Sequence, residues 1–157
     1  MSNITVDNIN SQFDSFIALQ TGAVLSISNS SFTNTNCYEA GSVLFAGTQL
    51  TLTTIMNTIF ENNTALLGGV MYIEQQSVVN CINCTFTNNF AVEGGVVATS
   101  DDGYFVFSSS NFTNNLAIVG LVANMFLSNT ESSISSSLIT NNKFVDSTTV
   151  TSEITDN

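Results

Sequence analysis

The chain has 157 residues, enough for one domain or for a segment of a longer repeat array. Only 8% of the residues are charged, and the net charge is −11 with Lys143 the sole basic residue. That balance excludes polyanionic partners, nucleic acid and acidic membrane surfaces among them. Hydrophobic content of 43% supports a continuous core, so the polar surface has to be built from Asn, Ser and Thr.

The opening residues, Met1 to Asn8, lack the basic region and apolar run of a signal peptide. Either the numbering starts inside a longer precursor, or the protein is not secreted. The longest apolar runs, such as Ala117 to Ala123, are far too short to cross a bilayer, so no direct membrane insertion is expected.

From there the chain is organised by repetition. The stretch Cys84 to Val97 recurs upstream as Thr58 to Met71, downstream as Ser110 to Ala123, and more loosely as Ser30 to Val43. Each copy is anchored on an apolar residue: Phe32, Phe60, Phe86, Phe112 and Ile139, spaced by 28, 26, 26 and 27. A shortened first copy is expected on Phe13, with Ala18 and Gly22 at matching offsets. Two residues after the anchor stands Asn34, Asn62, Asn88, Asn114 or Asn141. Small residues follow at Cys37, Ala65, Ala91 and Ala117, then Ala40-Gly41, Gly68-Gly69, Gly94-Gly95 or Gly120-Leu121. Apolar stretches come next, then a polar loop such as Thr99 to Gly103, then a further apolar patch such as Val78 to Ile82.

Each repeat thus holds three runs rich in β-branched and aromatic residues, broken by Asn, by Gly-Gly and by the polar loop. No helical period persists. Three strands per unit of roughly 26 residues predict a right-handed, three-sheet parallel β-helix of about six coils. A leucine-rich repeat has a similar period but needs a regular Leu pattern that is missing here. The expected division of the single 1–157 domain is a short first coil at 4–29, regular coils over 30–136 and an irregular last coil at 137–157. Equivalent residues stack along the axis, so the core stack is Phe32, Phe60, Phe86, Phe112 and Ile139. The structural ladder of amides is placed at Asn34, Asn62, Asn88, Asn114 and Asn141. Neither terminus reads as a helical cap, so the end strands are expected to meet other coils, in the same chain or in a neighbouring copy.

The unit Phe-x-Asn-Asn-x-Ala-x-x-Gly-Gly-Val, at Phe60 to Val70 and Phe86 to Val96, resembles the repeats of chlamydial polymorphic outer-membrane proteins. It is also similar to pectin-lyase-like β-helix repeats in large extracellular proteins of protists such as ciliates. The resemblance covers roughly Ser30 to Ala123, and Gly41 and Gly120 each stand alone in its partial copies. It implies surface-structural or adhesin-like roles.

Chemistry is sparse. With no His, Ser-His and Cys-His catalysis have no base. Lyase chemistry on this fold needs a basic residue and cations, and only Lys143 is present. Hydrolysis needs converging carboxylates. Glu39, Glu93 and Asp146 share one offset, but Leu67 and Val119 interrupt them. Asp101-Asp102 are too few for a calcium site and read as a turn before Gly103. Of Cys37, Cys81 and Cys84, the isolated Cys-x-x-Cys pair lacks the further ligands of a zinc site. The three read as small buried residues, with a disulfide inside the pair or to Cys37 as the alternative.

Glycan acceptor triplets occur at Asn3, Asn29, Asn62, Asn83 and Asn111. Alternation points Asn111 outward, Asn29 and Asn83 share one offset, and an internal ladder would make Asn62 the least suited. The expectation is therefore a non-enzymatic, glycosylated extracellular structural β-helix that needs no cofactor. Its partners are neighbouring coils stacked end to end. A carbohydrate-binding or adhesin module is the alternative, and a degenerate polysaccharide lyase or hydrolase is a third reading.

Overall fold

The computed structural model describes residues 1–12, 14–126 and 132–144. Its regular elements are all short strands. One turn shows the plan, with Leu52–Met56, Ile59–Glu61, Thr64–Leu67 and Met71–Ile73 on four successive faces. Each pairs in parallel with its equivalent in the next turn, Val78–Ile82, Thr85–Thr87, Phe90–Glu93 and Val97–Thr99. Repetition of this plan gives an all-β parallel solenoid of about five turns.

There are four sheets, not three. The apolar patch and the anchor that follows it lie on different faces because the chain turns between them. Asn29, Asn57, Asn83, Ser109 and Ser136 take positive φ at that corner. Asn34, Asn62, Asn88, Asn114 and Asn141 do the same at the next corner, where Asn tolerates the left-handed conformation. Gly41, Gly68, Gly94 and Gly120 turn the third corner. A Cβ on Gly69, one step further, would run into the carbonyl oxygen of Gly95 in the following turn. A looser fourth corner carries the positive φ of Gln75-Gln76 and Asp101-Asp102.

The anchors fill the axis. Phe32, Phe60, Phe86 and Phe112 are fully buried. Their rings stack at 5.5, 5.0 and 4.9 Å with planes within 10° of parallel. Phe107 packs on Phe86 from the preceding face at 5.5 Å. Ile139 continues the column and is half-buried.

The ladder sits one residue later than the repeat suggests. The left-handed residue directs its own side chain outward, so Asn62, Asn88, Asn114 and Asn141 are exposed and Asn34 half-buried. The following side chain turns inward. Asn63, Asn89, Asn115 and Asn142 each donate from Nδ2 to the carbonyl of Phe32, Phe60, Phe86 and Phe112, one turn back, at 2.9–3.1 Å. Their Oδ1 atoms accept the backbone N–H of Thr35, Asn63, Asn89 and Asn115 at 2.7–3.0 Å. Asn63, Asn89 and Asn115 are fully buried, so these bonds satisfy backbone groups at a corner where the sheet ladder breaks.

The first turn also differs from the expected one. Val6, not Phe13, stands opposite Phe32. Ser11 pairs with Cys37 and Ala18 with Phe45, while Gly22 lies in the fourth corner with its N–H on Gln49. Phe13 itself lies outside the described residues. The turn is full rather than short, since Ile4 reaches Ser30 across 26 residues. The long 28-residue step to Phe60 comes from two insertions. One is a bulge at Tyr38-Glu39, after which Ala40 rather than Glu39 meets Leu67. The other lies in the corner between Ala46 and Leu52. Of the expected last coil, residues 145–157 lie outside the described residues.

Two outcomes test this account in chemical denaturation. Asn89→Ala strands the buried Asn63 N–H and takes one of two donors from the Phe60 carbonyl, and is expected to cost about 3 kcal/mol. Asn88→Ala, which loses only a tolerated left-handed residue, is expected to cost about 1 kcal/mol. Second, the buried hydroxyl of Thr53 has no hydrogen-bond partner and stands in a column with Val79. Thr53→Val is expected to stabilise the protein by about 1 kcal/mol.

Candidate functional site

The residues with chemical potential do not converge. Glu39 is shifted out of its column by the bulge, and Asp146 lies outside the described residues. Glu93 accepts a hydrogen bond from Asn124 Nδ2 at 2.8 Å. Asp101-Asp102 occupy a turn with positive φ at both residues. Lys143 is exposed on the last turn, opposite Leu116. No group of three or more Cys, Asp or Glu converges among the described residues. None of the described residues forms a helix long and apolar enough to cross a membrane.

The five acceptor asparagines, Asn3, Asn29, Asn62, Asn83 and Asn111, are all exposed. The ground for setting Asn62 apart is therefore removed, because the inward residue is Asn63. Asn29, Asn57 and Asn83 form an outer ladder of their own. Asn57 Nδ2 donates to Asn29 Oδ1 at 3.1 Å, and Asn83 Nδ2 donates to Asn57 Oδ1 at 2.8 Å.

What the fold does build is a pair of end surfaces. At the N-terminal end, Thr5–Asp7, Asn10–Ser11 and Ile17–Leu19 have a neighbour on one side only, while Val24–Ser28 is also bridged on its outer side by Met1 to Asn3 at Ser26 and Ser28. A parallel strand with one neighbour leaves alternate N–H and C=O groups facing outward. Ile4, Ile9, Leu19 and Leu25 are only half-buried there, and the Phe16 ring leans on Phe32 at 6.1 Å. Asp7 ties this turn to the second one. Asn34 Nδ2 and Thr33 Oγ1 donate to its carboxylate at 2.7 and 2.8 Å. Those bonds hold its pKa below the ordinary 3.8.

At the other end, Ala123–Met125, Ser133–Ser135, Leu138–Thr140 and Lys143–Phe144 are the outermost strands of their sheets among the described residues. Ile134, Ile139 and Phe144 extend core columns and stay half-buried. They line an apolar opening of about 410 Å³ with Phe105, Val122 and Met125.

Two side surfaces also stand out. The third face carries Leu66, Leu116, Ile118 and Val119 outward, all more than a third exposed. On the fourth face Phe45 stacks on Tyr72 at 5.8 Å. Tyr72 Oη meets Ser100 Oγ at 2.8 Å, and Ser100 lies 3.4 Å from Glu74. Burial, with the carboxylates of Glu74 and Asp101 nearby, raises the Tyr72 pKa despite the Ser100 bond. Sequence reasoning missed this cluster, because each member occurs once and none repeats with the turn. Only the alignment of Glu74 with Ser100, one turn apart, signals it.

Comparison with known proteins finds no matching family model, curated protein or solved structure.

The Tyr72 phenol gives a pH test. Its pKa is raised on folding, so the stability it carries is whole below the ordinary value of 10.0 and is lost as pH rises through its folded value. Spectrophotometric titration is expected to show a tyrosinate step above pH 10.0 that disappears in Tyr72→Phe.

Proposed function

We propose that the chain is a non-enzymatic structural segment of an extracellular, glycosylated β-solenoid assembly, joined through its end turns to further turns. The observation that carries this reading is the state of the ends. Among the described residues the core columns run to both end turns, and the apolar residues there remain half-buried beside strands paired mostly on one side. Another turn laid on either end would bury that apolar surface and continue the backbone ladders. The similarity of Phe60 to Val70 and Phe86 to Val96 to surface β-helix repeats of chlamydiae and ciliates supports the same reading. So does a surface of neutral amides and hydroxyls with five exposed acceptor asparagines, which suits glycans better than charged partners.

One observation favours a carbohydrate-binding module instead, the stacked Phe45–Tyr72 pair with Ser100 and Glu74 beside it. Aromatic rings next to polar groups are the usual furniture of sugar sites. Here, however, the ring faces are turned along the axis, against each other, rather than out to a ligand.

Electron microscopy of the natively produced protein tests the assembly reading. Stacking predicts rods with an axial repeat of about 24 Å, the length of the described turns at ~4.8 Å each. Dispersed short particles at all concentrations, with mass by sedimentation fixed at one chain, would overturn it.

A further inference from the structure

We propose that Cys81 and Cys84 form a disulfide across the corner at Asn83, leaving Cys37 as the free thiol. In other turns the equivalent of Cys81 is a large core residue, Ile27, Ile55 or Phe107. From the second turn on, the equivalent of Cys84 is a hydroxyl residue that turns the corner, Ser30, Thr58 or Ser110. Each of those hydroxyls donates to the carbonyl two residues before it at 2.8–2.9 Å. Only one turn of the described solenoid departs from both columns, and it replaces both members with cysteine.

Neither replacement makes sense alone. Cysteine at 81 removes core volume where isoleucine or phenylalanine is otherwise used. Cysteine at 84 exchanges a good hydroxyl donor for a weak one, and its sulfur reaches the Ile82 carbonyl only at 3.6 Å. Together they bring two sulfurs to 2.7 Å in a site where both residues are at most 1% exposed. A bond between them fills the core position and removes the need for a donor at the corner. Cys37, 4% exposed, stands on the third face in the column of Ala65.

The chemistry needs a thiol–disulfide oxidant such as oxidised glutathione. In the closed turn the Cys81 S–H donates to the Cys84 sulfur and favours its thiolate, while burial holds the Cys81 thiol up. Exchange with glutathione takes place earlier, while both thiols are accessible. The Cys84 thiolate attacks one sulfur of glutathione disulfide and expels one glutathione thiolate. The Cys81 thiolate then attacks Cys84 Sγ and expels the second. Two cysteine thiols are oxidised, one glutathione disulfide is reduced, and the two protons end on the two glutathiones. Burial means that the bond forms as this turn closes during folding, and that it is shielded from thiols afterwards.

The test refolds the wild-type chain and the Cys37→Ser variant in glutathione redox buffer, then denatures each and labels it with N-ethylmaleimide. The expected result is one label on the wild type, at Cys37, none on Cys37→Ser, and a mapped bond between Cys81 and Cys84. Reduction of that bond by thiol is expected to be roughly tenfold or more slower in native buffer than in denaturant. Cys84→Ser, which restores the corner hydroxyl used in the other turns, is expected to take two labels. Three labels on the oxidised wild type, or a bond or glutathione adduct at Cys37, would overturn the proposal. The outcome does not depend on whether the end turns assemble.

Discussion

Everything in this molecule rests on like stacking on like along one axis. A strand has no partner within its own turn, so its backbone is satisfied only by the turns before and after it. That holds each residue to the geometry of its column. At the corner after the anchor the sheet ladder fails, and a buried amide takes over. Asn89 shows the economy of the device: one side chain satisfies the Phe60 carbonyl and the Asn63 N–H. Among other neutral side chains only Gln and uncharged His offer a donor and an acceptor in one planar group, and both are larger. The stacked phenylalanines lie beside this column. Loss of the amide would therefore also loosen the spacing that keeps their rings within 5.5 Å.

The same constraint decides where variation is tolerated. The two extra residues before Phe60 are placed in a bulge at Tyr38-Glu39 and in the polar corner before Leu52, both outside the core columns. Tyr38 is 75% exposed, so the bulge carries its side chain into solvent and leaves Cys37 in register below. Variation inside the columns is answered by neighbours. Phe107 stands where Ile55 stands two turns earlier, and its larger ring packs on Phe86 of the neighbouring anchor column.

This explains what could be read from the sequence. The period, the anchors and the glycine corner were legible because a column writes the same residue type at every turn. The ladder was misplaced by one residue because two adjacent columns, Asn62 and Asn63, carry the same residue. Only backbone handedness separates an outward left-handed asparagine from an inward one. The fourth sheet was hidden because Asn57 and Asn83 give way to Ser109 and Ser136 at the same corner. The first turn was misread because Phe13 looks like an anchor and Val6 does not. Backbone pairing with Phe32, not side-chain size, fixes the register. The Tyr72–Ser100–Glu74 cluster left only the one-turn spacing of Glu74 and Ser100 as a trace.

The amide ladder also gives the solenoid a direction. Each ladder asparagine donates backward to the anchor carbonyl of the preceding turn and accepts that turn's N–H, while Asn89 and Asn115 also donate forward to the Oδ1 of Asn115 and Asn142. At the N-terminal side the column is closed off. Thr35 sends both its N–H and its hydroxyl to Asn63 Oδ1, and the equivalent position one turn earlier is apolar Ile9, half-buried against the core. At the other side Asn142 directs its amide backward to Phe112 and Asn115. Among the described residues Asn142 is the last of this column. Within the described residues the column therefore has unlike ends, a threonine at one and an asparagine at the other. Under the stacking proposed for this chain, unlike ends call for head-to-tail contact, and along a straight axis such contact propagates rather than closes.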